Sequence, residues 1–404
     1  MHRFAPTPYA PWYFASVAAF MIPTGIQSVM LSYLLAIELH QPASRFGITQ
    51  MLGQLPVLVL LVFGGWLADR VDPRRLLIGL QAGAALMPTL LAAALWRGQV
   101  GETLVLMYAV VWGVFSAFAI PARDGLLNRV AGGQVQRMVT LATGVQVTTQ
   151  MLGQALGGRA GHWGPIGVLL AQALVLLAGA FAAARLPAGA HSGTGAPRES
   201  MWREIGGGLA LLFSDSTIRA TFLLICSMGV FFAGVMVVLI PLAVRDLYTG
   251  GAQQIALGLI AFGVGTLVSI ATMIRLGGVR RPGRALCLSQ FAGCAALTPI
   301  ALASPAWVFY LSVFVWGLCG GVAMTMSRTI MQENAPAAYR SRVMAAFSLG
   351  GTGGAPIGSL LMGFAIGSLG VRWAVVIPIV GVAMSTLAVM ATHGLWRVPS
   401  RSRP

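Results

Sequence analysis

Residues 64–75 read GGWLADRVDPRR, and this stretch concentrates charge in a chain that contains little of it. Its last seven residues hold two aspartates and three arginines, whereas 9% of all 404 residues are charged. Long apolar runs precede and follow it. A hydrophobic fraction of 57% and a mean hydropathy of +0.81 exceed what the surface of a soluble globular protein tolerates. The pattern therefore predicts a membrane protein in which this stretch connects two spanning helices.

Twelve apolar runs approach the roughly 20 residues that a helix needs to cross a hydrocarbon layer of about 30 Å. The predicted spans are approximately 12–39, 46–68, 76–95, 103–121, 138–161, 164–186, 220–244, 255–274, 285–303, 306–330, 343–366 and 373–394. They predict an all-α integral membrane protein with twelve transmembrane helices in two six-helix bundles, at 1–186 and 220–404. The break at 187–219 is rich in Gly, Ser and Pro at its start, which indicates a flexible linker. Its later part spaces apolar residues as a short interfacial helix does, so we expect one on the cytoplasmic surface.

The arginines determine the predicted topology. All 26 basic residues are arginines, and with the N-terminus inside, 21 of them fall on the cytoplasmic side and five on the outer side. The positive-inside rule then places both termini in the cytoplasm. The net charge of +16 follows from this topology, and we expect no nucleic-acid partner.

The two halves of the chain repeat each other weakly. WGVFSAFAIPARDGLLNRV at 112–130 parallels WGLCGGVAMTMSRTIMQENA at 316–335, and LGQALGG at 152–158 parallels GGAPIGS at 353–359. The paired positions are Arg123 and Arg328, Gly153 and Gly354, and Gly157 and Gly358. A duplicated six-helix unit with a cytoplasmic linker is the plan of a rocking transporter with a central site between its halves.

These motifs resemble a known family. GGWLADRVDPRR is similar to the signature that the major facilitator superfamily carries between its second and third helices, a pattern close to G-x-L-A-D-R-x-G-R-R. The matching residues are Gly65, Leu67, Ala68, Asp69, Arg70 and Arg74. Asp72 stands where that pattern has glycine. LGQALGG resembles the antiporter-type glycine motif of the fifth helix, with Gln154 in place of the usual proline. PARDGLLNRV at 121–130 and the linker helix look most similar to the branch of enterobactin-type siderophore exporters and macrolide efflux proteins.

The resemblance implies the major facilitator fold and transport by alternating access. It also implies gating or motif roles for Gly65, Asp69, Arg70, Arg74, Arg123, Arg328, Gly153 and Gly157. Asp69 is expected near the cytoplasmic start of the eleventh helix, around 341–344, when the inner gate is closed. The equivalent loop of the second half, RLGGVRRPGR at 275–284, has no aspartate, so this gate is one-sided. The fourth helix also lacks the embedded arginine and the R-x-x-Q-G pattern of many proton antiporters.

Ionisable residues inside a membrane are costly and usually functional. All ten acidic residues lie at predicted span ends or in loops, and the five histidines are peripheral. This distribution argues against an enzyme, and we expect no metal and no cofactor. Glu38 and Asp124 are the candidates for proton coupling, with an ordinary charge at the membrane border as the alternative for each.

Polar and aromatic residues within the spans are the candidates for a substrate cavity. Gln146, Gln150 and Gln154 recur at every fourth position of the fifth helix, which places them on one face. They either line a wet cavity or form hydrogen bonds between packed helices, and Gln27 on the first helix poses the same choice. The aromatic candidates are Trp112, Phe115, Phe231 and Trp316, each with core packing or lipid contact as the alternative. Walls of aromatic, methionine and amide groups suit amphipathic molecules better than sugars.

We interpret the chain as a monomeric secondary transporter of the bacterial plasma (inner) membrane. It is predicted to export an amphipathic small molecule, of drug or siderophore type, with protons as the candidate coupling ion. The alternatives are an importer of an organic solute, a membrane sensor or assembly factor that transports nothing, and a lipid-modifying enzyme.

Overall fold

The computed structural model describes residues 8–68, 70–130, 135–187, 215–276, 279–302, 304–336, 340–393 and 395–397. Asp69 and the predicted interfacial helix of the linker lie outside these residues. The described chain is helical almost throughout, as the apolar runs predict, since helices satisfy all backbone hydrogen bonds within one segment in lipid.

The helices of the first half are α1 (Ala10–Tyr33), α2 (Ala43–Ala68), α3 (Pro73–Ala84), α4 (Leu86–Trp96), α5 (Glu102–Val130), α6 (Val135–Gly157) and α7 (Ala160–Ala184). Those of the second half are α8 (Ser216–Gly234), α9 (Ile240–Tyr248), α10 (Ala252–Arg275), α11 (Pro282–Ala301), α12 (Ala306–Asn334), α13 (Arg340–Ala374) and α14 (Val376–His393). A π-helical turn at Leu34–Glu38 extends α1, and another at Val235–Leu239 joins α8 to α9.

Eight helical stretches of the described residues are long and apolar enough to cross a membrane. They are Ala10–Glu38, Pro73–Trp96, Glu102–Leu127, Ala160–Ala184, Ser216–Tyr248, Ala252–Arg275, Ala306–Asn334 and Ala346–Ala374. A multi-pass membrane protein is thereby confirmed, and the full set of twelve spans stays a prediction.

The described residues group into two compact units. The first contains those of Met1–Gln41, Leu52–Thr194 and Gly250–Leu257, and the second contains those of Pro42–Met51, Gly195–Thr249 and Gly258–Pro404. In the first unit, α1 packs on α6 and α7, and α3 packs on α5 and α7. In the second unit, α8 packs on α13 and α14, and α11 packs on α12 and α14. The predicted bundle limits of 1–186 and 220–404 stay a prediction.

Glycines bring α1 and α6 into backbone contact in the first unit. A Cβ atom built on Gly153 would lie 2.0 Å from the Ile22 carbonyl oxygen, and one built on Gly25 would lie 2.1 Å from the Gln150 carbonyl oxygen. A Cβ at Gly157 would lie 2.9 Å from the Val29 Cβ. Small residues allow this close approach, which van der Waals packing in a membrane favours.

The second unit contains the same kind of crossing, between α8 and α13. A Cβ on Gly358 would lie 2.0 Å from the Val230 carbonyl oxygen, and one on Gly354 would lie 2.5 Å from the Gly229 carbonyl carbon. The four glycines of the predicted pairs, Gly153 and Gly157 in the first unit and Gly354 and Gly358 in the second, all lie at these two crossings. The weak repeat of the sequence is present in the packing of each unit.

Candidate substrate site and gating residues

An apolar cavity of about 160 Å³ lies within the second unit, between α8, α10 and α12. Its wall consists of Met228, Phe232, Ala233, Met236, Phe262, Trp316 and Gly320. The ring centroids of Phe262 and Trp316 are 4.6 Å apart, and Phe232 meets Trp316 edge-on at 5.5 Å. Methionine and aromatic side chains form adaptable apolar walls, so the cavity suits an apolar or aromatic group.

Trp316 is the predicted site residue that lies in this wall. Its side chain is buried and packs near Gly293 on α11, where a Cβ would lie at an ordinary van der Waals distance of 3.5 Å from the indole Cδ1. The indole Nε1 has no hydrogen-bond acceptor among the described residues. A buried donor without a partner costs about 1 to 3 kcal/mol, so this ring is held by packing and not by polar contacts.

The other predicted aromatic residues pack within their own units. Trp112 stacks on Phe20 with centroids 5.7 Å apart and an interplanar angle of 14°. Phe115 lies against Gly83, and Phe231 lies against Gly381 on α14. Such contacts are the ones that the core-packing alternative predicts. A substrate role for Trp112, Phe115 and Phe231 stays a prediction.

A buried polar network in the first unit includes Gln27. The Tyr108 hydroxyl donates to Gln172 Oε1 at 2.7 Å, and Gln172 Nε2 donates to the Pro23 carbonyl at 3.2 Å and to Gln27 Oε1 at 3.4 Å. Tyr108 and Gln172 are fully buried. Neither residue is among the site residues predicted from the sequence, although a lone glutamine inside the apolar run of α7 is a signal for such a bond. Gln27 therefore has an amide partner inside the unit, and its cavity role stays a prediction.

The three glutamines of the predicted stripe on α6 are buried to different depths. Gln154 is 6% exposed, whereas Gln146 and Gln150 are half-buried. The Oε1 atom of Gln154 has no donor among the described residues. Half-burial at Gln146 and Gln150 leaves both alternatives open for these two side chains.

If the stripe lines the cavity, Gln150→Leu is expected to change the range of transported molecules while membrane abundance stays near normal. Gln172→Leu is the matched control, because it changes a glutamine that forms hydrogen bonds between packed helices. It leaves the buried Tyr108 hydroxyl without its acceptor, so thermal stability should fall by about 1 to 3 kcal/mol. Transport profiles and unfolding temperatures of both variants separate the two roles. A lower stability of Gln150→Leu with an unchanged profile would assign the stripe to packing.

The opening stretch begins the third helix. Asp72 is the N-cap of α3, its carboxylate accepts from the Arg74 backbone N–H at 3.2 Å, and Pro73 occupies the first helical turn. The Arg74 guanidinium donates from Nη2 to the carbonyl of Ala184, the last residue of α7. The Arg70 guanidinium lies over the Trp66 ring, 4.1 Å from its centroid. Asp72 therefore caps the start of α3, and Arg74 connects α3 to the end of α7.

Three further predicted gating residues, the motif glycine Gly65 and the repeated arginines Arg123 and Arg328, differ in their surroundings. A Cβ at Gly65 would meet nothing within 4 Å. The Arg123 side chain is 12% exposed and pairs with Asp124 at 3.5 Å, whereas Arg328 is exposed. Arg123 and Arg328 match in the sequence repeat, but the structure gives them different environments.

The two coupling candidates are exposed. The Asp124 side chain is 64% exposed, and Glu38 accepts a hydrogen bond from the Tyr33 hydroxyl at 2.7 Å. Among the described residues, no group of three or more His, Cys, Asp or Glu side chains could hold a metal ion. A coupling role for Glu38 or Asp124 stays a prediction.

Comparison with known proteins gives one family match and several relatives. A family model described as Major Facilitator Superfamily matches residues 13–359. Two curated proteins of Bacillus subtilis (strain 168) are similar, the uncharacterized MFS-type transporters YfiS, 29% identical over 126 residues, and YwfA, 28% identical over 123 residues. These alignments cover 31% and 30% of this chain and 29% of each relative.

Solved structures show the same fold at low sequence identity. The nucleoside transporter NupG superposes with a TM-score of 0.76 at 11% identity, over 97% of this chain and 100% of that one. A D-xylose-proton symporter superposes with a TM-score of 0.73 at 13% identity, over 98% and 99%.

Proposed function

Because the chain belongs to the Major Facilitator Superfamily of transporters, we propose that it exports an amphipathic small molecule, drug-like or siderophore-like, by alternating access. The proposal includes twelve spans in two six-helix bundles, both termini in the cytoplasm and a monomer in the bacterial plasma membrane. Protons are the proposed coupling ion. No chemical change of the substrate is part of it.

The observation that carries the substrate class is the wall of the cavity in the second unit. Its seven described residues include two methionines, two phenylalanines and a tryptophan, and none is charged. Sugars and nucleosides need several directional polar groups in their site. An apolar wall of this kind favours substrates with a bulky apolar or aromatic part. Two sequence resemblances support the outward direction, that of LGQALGG to the antiporter-type glycine motif and that of PARDGLLNRV to the branch of siderophore exporters and macrolide efflux proteins.

Everted membrane vesicles test this proposal. With a proton gradient imposed, vesicles that contain the protein should accumulate the amphipathic dye rhodamine 6G, and a protonophore should abolish the uptake. Vesicles without the protein are the control, and uridine and xylose are the polar comparison substrates. Saturable uptake of uridine or xylose into right-side-out vesicles, with no dye transport, would instead establish the importer.

A further inference from the structure

We infer that the end of α7 and the start of α1 form a binding site for one anionic phospholipid. The Arg185 guanidinium receives the phosphate of the headgroup, and an exposed apolar face of α7 receives an acyl chain. Both helices belong to the first unit. The site uses none of the residues of the cavity in the second unit, so it goes beyond the proposed function and does not depend on which molecule is transported.

One exposed face of α7 is an apolar stripe that ends in a cation. Its side chains recur at intervals of three or four residues, which places them on one side of the helix, and they are Leu170, Leu174, Leu177, Phe181 and Arg185. At about 1.5 Å per residue, the part from Leu170 to Phe181 is about 16 Å long, close to half of a hydrocarbon layer of about 30 Å. The stripe therefore fits an acyl chain of one leaflet, with the cation at the end where the headgroup begins.

Two aromatic rings hold the Arg185 guanidinium at the end of this stripe. Its Cζ lies 4.8 Å from the centroid of the Phe181 ring and 5.6 Å from the centroid of the Trp12 ring on α1. The two rings meet edge-on, with their centroids 6.3 Å apart. A guanidinium that lies over rings keeps N–H donors at its edge, and such donors bind two oxygens of a phosphate at once. The rings thus fix the position of the cation without neutralising its charge.

The charge of Arg185 is not balanced within the protein. Arg185 is exposed, and it forms no ion pair with a carboxylate of the described residues. In the topology proposed above, the end of α7 lies at the cytoplasmic leaflet, whose surface is negatively charged because of its anionic lipids. A cation held there without a partner is complementary to a headgroup with a net negative charge. The site therefore selects an anionic phospholipid over a zwitterionic one.

The last helix of the second unit shows that an apolar stripe alone does not make this site. Helix α14 exposes Val376, Val380, Met384 and Leu387 at the same three- and four-residue intervals, and the next position on that face is Ala391. Such a face contacts acyl chains, as other lipid-facing helices do, but it carries no arginine. The face of α7 differs by its cation and by the two rings that hold it, so the headgroup preference belongs to α7.

Native mass spectrometry of the purified full-length protein tests this site. The protein is offered equal amounts of phosphatidylglycerol and phosphatidylcholine with the same acyl chains, and the ratio of the two lipids in the complex with one bound lipid is measured. The parent protein should retain phosphatidylglycerol in excess. Arg185→Gln should lower this ratio about fivefold, the effect of one cation near an anionic surface. Phe181→Leu keeps the charge but removes one ring, so it should lower the ratio by a smaller factor, and it covers the case in which Arg185→Gln disturbs folding.

Arg281→Gln is the matched control, because it removes the same charge from an exposed arginine, next to the start of α11, that lies over no aromatic ring of the described residues. It should leave the lipid ratio unchanged. An equal decrease in Arg281→Gln and Arg185→Gln would overturn the site, because it would show a general attraction between a basic protein and anionic lipids. A parent without preference, or an unchanged ratio in both Arg185→Gln and Phe181→Leu, would overturn it as well. The measurement needs no transported substrate, so its outcome is separate from the dye-transport test of the proposed function.

Discussion

Gly153→Ala is expected to remove most of the folded protein from the membrane, whereas Gly144→Ala on the same helix should be neutral or stabilising. The added Cβ would lie 2.0 Å from the Ile22 carbonyl oxygen and 2.8 Å from its carbonyl carbon. These are backbone atoms, so the clash cannot be relieved by a side-chain rotation. Overpacking of this kind costs about 1 to 3 kcal/mol and occasionally more.

The cost should exceed that of a single contact because the crossing has glycines on both helices. Moving α6 away from α1 to relieve Gly153 also loosens the contact at Gly25. Gly358→Ala should behave like Gly153→Ala, since its Cβ would lie 2.0 Å from the Val230 carbonyl oxygen of the second unit. Unfolding temperature and membrane abundance are the measurements for both.

Gly144 is the matched control because a Cβ at that position meets nothing within 4 Å. Alanine is favoured over glycine inside a helix by about 0.5 to 1 kcal/mol, so this variant should not lose stability. An equal loss of folded protein from Gly144→Ala and Gly153→Ala would mean that α6 is intolerant of any substitution. The close approach would then not explain the glycine motif.

The glycine positions could be predicted from the sequence because both halves use the same spacing. Equal spacing on a helix places Gly153 with Gly157, and Gly354 with Gly358, on one face each, and a face of glycines has one physical use in a membrane. The helix that receives each face could not be predicted in the same way. That depends on the packing of α1 on α6 and of α8 on α13, which no local pattern specifies.

The buried polar network of the first unit, in contrast, could not be located from the sequence. Gln172 pairs with Tyr108, which lies 64 positions away on another helix. A single glutamine in an apolar run is compatible with a partner on any neighbouring helix, so the sequence gives the need for a bond but not its location. The burial of Arg123 and the exposure of Arg328 have the same cause, because matching positions in a repeat acquire different neighbours.

The role of Asp72 is predictable from the sequence, although the predicted spans 46–68 and 76–95 leave this residue in the connection between them. An aspartate followed by proline and then by an apolar run is the pattern of a helix start, and the structure uses Asp72 as the N-cap of α3. The second aspartate of GGWLADRVDPRR therefore has a structural role that the loop interpretation lacked. Asp69 is left as the acidic residue of the stretch whose role rests on the resemblance to the superfamily.

Asp69→Asn is expected to lower transport sharply at normal expression and to leave the protein population biased toward the inward-open state. In the proposed cycle, the Asp69 carboxylate interacts with the cytoplasmic start of the eleventh helix when the inner gate is closed. An anion at a helix N-terminus gains about 0.3 to 1 kcal/mol, and up to about 2 when partly buried. A loss of about 1.4 kcal/mol from one state shifts a two-state balance about tenfold. Such a shift impairs cycling without unfolding the protein.

Asp72→Asn provides a control in the same stretch, because both variants remove one negative charge. Asparagine caps a helix about as well as aspartate, so α3 should still begin at the same residue and transport should fall only mildly. Dye flux in everted vesicles and labelling of cysteines introduced on both membrane faces measure the two effects together. If Asp69→Asn keeps wild-type flux and labelling, the stretch has no gating charge. Its aspartate and arginines would then serve to start α3, to bind the end of α7 and to hold the loop in the cytoplasm.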